Sequence, residues 1–252
     1  MIDGVGNVSS VLVVGAANPL CLATVDRLVG PRLSRAFVLD SDAVGLIKGA
    51  QRIREFGIPD VTEVSYAVGD TDGQRQSIVD SFESGDIDVA IIGPSPQRIH
   101  SEPDAPTATP SSEYLTHALI DVLHLAELIG EAISHQGHGV LTLFTHSPQR
   151  IGTGLDPDYC AAMAALNLAA PRVGAAAAVD GGRTVCVALE PGRDPNAPLV
   201  QESRRSTMSP LEIASDLAPA ITSRRKKRPA YEVIHLPKSL RKTAGRIGGR
   251  RG

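Results

Sequence analysis

The sequence predicts an α/β fold, a doubly wound parallel sheet of about seven strands with helices on both faces. Three observations predict it. Short β-branched runs alternate with helical stretches along most of the chain. Most of those runs are continuously apolar, as strands buried on both faces of a parallel sheet are. Repeated βα units with right-handed crossovers build such a sheet and leave ligands at the carboxyl ends of its strands.

The first strand is expected over 11–15, a Val/Leu run closed by Gly15. Further strands are expected over 36–40, 64–68, 88–93, 139–145 and 184–190, with 231–236 as a seventh candidate. Helices fall between them at 19–29, 42–56, 72–84, 113–135, 157–178 and 209–222. The last opens on Ser209-Pro210-Leu211-Glu212, a capping box with proline at the first helical position. Residues 94–110 hold five prolines and read as a long loop at the carboxyl edge of the sheet, and 193–208 read as a second. Such loops often cover a ligand, although a loop in that place can equally be mobile.

The chain has 252 residues, 42% hydrophobic and 21% charged, which are globular values and exclude wholesale disorder or a collagen-like chain. No run reaches the roughly 18 apolar residues of a membrane span. Met1-Ile2-Asp3-Gly4 lacks the features of a signal peptide. Cys21, Cys160 and Cys186 have neither disulfide-framework nor zinc spacing. A cytoplasmic setting is expected. From Arg224 onward there are 11 basic residues and one acid, which leaves 14 basic and 27 acidic residues before it, a body of net −13 with a tail of +10. That asymmetry points the tail to an anionic partner or back to its own body. The domain is taken as 1–237 and the Gly-rich basic tail as 238–252.

Val14-Gly15-Ala16-Ala17-Asn18-Pro19-Leu20-Cys21 lies between first strand and first helix, where dinucleotide folds place a Gly-rich turn that cradles pyrophosphate. With six strand positions, Tyr159 and the Pro191-Gly192 pair after the sixth strand, the chain resembles the short-chain dehydrogenase/reductase family over nearly its whole length. Gly4-Val5-Gly6-Asn7, Asp70-Thr71-Asp72 and the stretch from Gly85 to Ile91 make it most similar to the decaprenylphosphoryl-2-keto-ribose reductase group. The resemblance implies a Rossmann-type NAD or NADP site with Gly15, Asp40, Gly93, Pro191 and Gly192 as cofactor residues. Only one of the turn's three glycines is kept: Pro19 and Cys21 occupy the other two places, and a Cys side chain there is expected to intrude on the pyrophosphate. Ala67 stands where the family carries an acid for the adenine, and Gly93-Pro94-Ser95 replaces its Asn-Ala-Gly. A carboxylate at Asp40 can bond an adenosine ribose and favour NAD, or can serve only as a strand-end turn residue with Ser41 and Asp42.

In the family a Tyr protonates the substrate, a Lys four residues on lowers its pKa, a Ser orients the carbonyl and an Asn anchors a relay water. Here Tyr159 remains, but Met163, His146 and Ala118 stand at the other three positions, with Ser147 one place after His146. Without the Lys, Tyr159 is expected to keep its ordinary pKa of about 10 and to move protons poorly at neutral pH. The first expectation is therefore a catalytically degenerate oxidoreductase homologue that acts by binding a partner subunit, a ligand or a membrane surface. The alternative is an active NAD(P)-dependent reductase of a carbonyl or keto-sugar that uses Tyr159 with His146 or Ser147. A third reading makes the α/β domain a scaffold for a basic-tail adaptor.

No His cluster has metal-ligand spacing, and His135 with His138 suits a helix C-terminus. The resemblance implies a homo-oligomer through the 113–135 and 157–178 helices, the second an Ala-rich segment interrupted by Pro171. A heteromeric partner is a further expectation. The tail's cations suit peripheral contact with an anionic membrane, each contributing about 1 kcal/mol there. The few aromatics beside them argue against specific nucleic-acid binding.

Overall fold

A computed structural model describes residues 2, 6–93, 111–146, 157–177, 180–189, 209–222 and 231–236. Seven strands form one parallel sheet in the order β3-β2-β1-β4-β5-β6-β7: β1 Ser10–Val14, β2 Arg35–Asp40, β3 Asp60–Ser65, β4 Val89–Ile92, β5 Val140–His146, β6 Arg183–Leu189 and β7 Tyr231–Leu236. All six pairings are parallel, with Val14 in register with both Leu39 and Ile92. The order reverses between β1 and β4, and the crevice at their carboxyl ends is where doubly wound sheets bind ligands.

The doubly buried strands explain the continuous apolar runs. Val11 and Val13 face one layer with α1 Pro19–Leu28, α2 Ala43–Glu55 and α7 Pro210–Thr222, while Leu12 and Val14 face the other. That second layer is built from α3 Thr71–Glu83, α5 Val122–Gln136 and α6 Pro157–Ala177. Cap chemistry sets the helix starts. Asp42 accepts from the Val44 and Gly45 amides at 3.0 Å, Asp70 accepts from the Gly73 amide, and Ser209 with Glu212 forms the expected capping box.

Three expectations are corrected. The third strand lies at Asp60–Ser65 rather than 64–68, because an edge strand that is exposed over most of its length carries no continuous apolar run to mark it. The long fourth helix is not uniform: α4 Ser111–Leu115 passes into a π-helical segment, Thr116–Asp121, before α5. Pro171 does not interrupt α6, which runs unbroken through it. By length and composition α6 is also apolar enough to cross a membrane, although its Tyr159, Met163, Leu166, Ala170 and Val173 pack into the core. The expected loops at 94–110 and 193–208, the pair Pro191-Gly192, Ser147 and the tail lie outside the described residues.

Candidate functional site

Gly15, Asp40 and Gly93 end three neighbouring strands. The Gly15 amide donates to the Leu39 carbonyl at 2.9 Å, and the Gly93 amide donates to the Val14 carbonyl at 3.0 Å. Gly15 adopts φ +74, and a Cβ built on it meets nothing within 4 Å, so the turn keeps an open mouth. Cys21 does not intrude there. It is fully buried among the core residues, with Sγ 4.0 Å from the Val14 carbonyl. A Cβ on Gly93 would stand 2.6 Å from that sulfur, so the missing side chain of Gly93 makes room for Cys21. Burial, then the Asp40 charge, pushes the thiol up to about 12 and keeps it un-ionised.

The helix end is less favourable to phosphate. Pro19, the first residue of α1, has no N–H, and Asn18 Oδ1 accepts from the Leu20 amide at 2.9 Å. Cys21, the third position, is fully buried, and positions 11–26 contain no Lys, Arg or His.

The ribose end differs. Asp40 Oδ1 accepts from the Asp42 amide at 3.0 Å, while Oδ2 lies 3.4 Å from the place a Cβ on Gly45 would take. Asp40 thus serves as a turn acceptor, and the Asp42 carboxylate and the Ala17 methyl crowd the same point beside Gly45. Burial is the main reason its carboxyl sits above the usual range; the Asp42 charge adds to this, while the Asp42 amide and His117 oppose it. Beside it, Ser41 Oγ and His117 Nδ1 are 3.5 Å apart. The buried Tyr66 phenol is pushed well above its ordinary value by desolvation and by Asp40 and Asp121. Asp121, buried at the end of the π-helical segment, accepts from the Gly69 amide at 3.1 and 3.2 Å.

Tyr159 lies elsewhere, in a buried cluster with Tyr114 and Met163. Met163 is 1% exposed and occupies the i+4 position on the same helical face. The expectation of an ordinary phenol is corrected upward: desolvation, then Tyr114 and Cys160, drives Tyr159 well above its usual value. Ala118 is buried in the π-helical segment, and His146 ends β5 in register with Leu189. Among the described residues no group of three His, Cys, Asp or Glu could hold a metal ion.

Sequence reasoning missed the group Ser41, Tyr66, His117 and Asp121. The third strand expected over 64–68 takes in Tyr66, which lies just after β3, and His117 carries no motif spacing that singles it out. The stretch is apolar around much of its circumference, so the change of phase at the π-helical segment leaves no mark in its hydrophobic periodicity. Also missed was Thr145, whose buried hydroxyl donates to Asn167 Oδ1 at 2.9 Å and lies 3.7 Å from the Cys186 sulfur.

No family model matches the sequence. A Streptomyces coelicolor protein described as an uncharacterized oxidoreductase is 25% identical over 253 positions, covering 98% of this chain and 94% of the relative. Among solved structures, a short-chain dehydrogenase from Mycobacterium smegmatis superposes with a TM-score of 0.73 at 17% identity, over 94% of this chain and 95% of that one. Actinorhodin polyketide ketoreductase with NADPH follows at 0.69 and 17%, over 94% and 97%. L-sorbose reductase from Gluconobacter frateurii with NADPH and L-sorbose gives 0.68 and 15%, over 91% and 95%. The chain thus has the Rossmann-like fold of the short-chain dehydrogenases, and the likeness to an oxidoreductase along nearly its full length supports that family.

Proposed function

We propose that this chain is a short-chain dehydrogenase/reductase homologue that acts by binding, its carbonyl-reducing chemistry having been lost. The observation that carries the reading is the buried pair Tyr159 and Met163, an un-ionised phenol with a thioether where a cation would lower its pKa. The NADPH named with two of the similar structures supports the nucleotide crevice as the place of binding. Within the family, the Gly85–Ile91 stretch supports a likeness to the decaprenylphosphoryl-2-keto-ribose reductase group. Here that stretch has a structural use. Arg35 donates to the Ser84 and Asp86 carbonyls, and Gln136 bonds both the amide and the carbonyl of Ile87. We further propose self-association through α5 and α6, supported by Leu168, which is 84% exposed on the outer side of α6.

The test is NADH and NADPH oxidation against a panel of ketones and keto-sugars. No turnover above solvent background is expected. Turnover that falls when Tyr159→Phe is introduced would overturn the reading and establish an active reductase built on Tyr159 with His146 or Ser147.

A further inference from the structure

We infer that the basic segment 238–252 docks on its own sheet, across the acidic carboxyl ends of β2 and β3. The inference goes beyond the reading above and does not depend on whether the crevice turns over a substrate.

Charge is segregated along the strand direction. Asp40 ends β2, Asp42 and Asp70 cap α2 and α3, and Asp72, Asp158 and Glu212 fall in the first turns of α3, α6 and α7. Among the described residues, the turns and first helical turns at this edge carry no Lys or Arg. The cations Arg27, Arg32, Arg35, Arg52, Arg54 and Arg183 stand at the opposite edge, in the last turns of α1 and α2 or around the starts of β2 and β6. Helix dipoles favour that arrangement, yet Asp42, Asp70 and Asp72 are exposed, so the edge presents charge of one sign to a partner.

Because every strand is parallel, β7 delivers the chain at Leu236 to that same acidic edge. The segment 238–252 follows with six cations and no acid. β2 lies five strands from β7, about 24 Å at the usual strand spacing, and the 15 residues of the segment reach about 50 Å when extended. Apolar contacts are available as well. Val44 in the first turn of α2 and Val68 just before Asp70 are 57% and 40% exposed, and the segment carries Leu240 and Ile247. An external anionic surface must displace these contacts, so the body competes with it for the tail.

The experiment follows trypsin cleavage within 238–252 of the full chain by mass spectrometry, in about 20 mM and about 0.5 M salt, each rate taken relative to that of the free 238–252 peptide. Docking is expected to slow cleavage about tenfold at low salt relative to high salt. Asp42→Asn, Asp70→Asn and Asp72→Asn together keep both caps, since Asn caps as well as Asp, and should abolish the protection at low salt. The same variant should sediment with vesicles of phosphatidylcholine and phosphatidylserine more strongly than the parent chain does. Equal low-salt cleavage of parent and variant overturns the inference, and equally strong vesicle binding overturns it by assigning the tail to a membrane. Protection that is lost on dilution overturns docking within one chain and assigns the tail to a second copy. Should the variant lose its cooperative melt, the parent chain decides alone: cleavage no faster in high salt overturns the inference.

Discussion

Asp40 shows how burying a single carboxyl at a strand end costs stability when it is charged. Its carboxyl is held above the ordinary value mainly by burial, so folding disfavours the charged form relative to the unfolded chain. The sign follows from linkage: the stability it contributes is complete below the unfolded value of about 3.9 and is lost as pH rises through the folded value. Asp40→Asn keeps an acceptor for the Asp42 amide and removes the buried charge. Its melting temperature should therefore exceed that of the parent chain at pH 7, with the difference closing as pH falls toward 4. A melting series across that range checks it, and a gap that widens on acidification would show that the carboxylate stabilises the fold. Cys21 makes the opposite point at the same turn. Its sulfur is a packing atom accommodated by Gly93, and its thiol, raised to about 12, has no part in chemistry at neutral pH.

At the scale of elements, the seat of α1 on the sheet depends on the contact between Cys21 and Gly93. A methyl group at Gly93 would meet the sulfur at 2.6 Å, so Gly93→Ala is expected to cost about 1–3 kcal/mol by overpacking. Adding Cys21→Ala should recover much of that loss, and denaturant titration of the two single variants and the double reads the coupling. Additive losses would mean that the backbone, rather than the sulfur, limits the site. The amino end of β4 is closed by a different device. Gln136, the last residue of α5, accepts from the Ile87 amide at 2.8 Å and donates to the Ile87 carbonyl at 2.9 Å, acting like one more residue of a neighbouring strand. Gln136→Ala strands both groups and is expected to cost about 1–3 kcal/mol, measured by the same titration.

For the whole molecule, the exposed apolar residues suggest where copies meet. Leu168 on α6 is 84% exposed and Ile120 on the π-helical segment 52%. If α5 and α6 join two copies, Leu168→Glu places a charge at the contact and should convert a dimer or tetramer to monomer in sedimentation velocity, with melting measured on the separated monomer. A variant that sediments like the parent chain would remove α6 from the interface.

The alternation of apolar runs with capped helices was enough to determine the doubly wound sheet, its strand count and the positions of Gly15, Asp40 and Gly93 at the carboxyl edge. Local periodicity carries that information because strands buried on both faces leave no place for polar residues. The absence of the usual Lys and Ser was equally legible, since those are matters of residue identity at a given spacing. Tertiary structure alone decided the rest. The edge strand β3 was misplaced because exposure removes its signature, and with it went Tyr66. The turn of Cys21 into the core depends on Gly93, 72 positions away along the chain. The meeting of Ser41 with His117 and of Gly69 with Asp121 depends on how α5 and its π-helical lead lie across the sheet. Contacts between residues so far apart in the chain are set by packing of whole elements, and no local pattern records them.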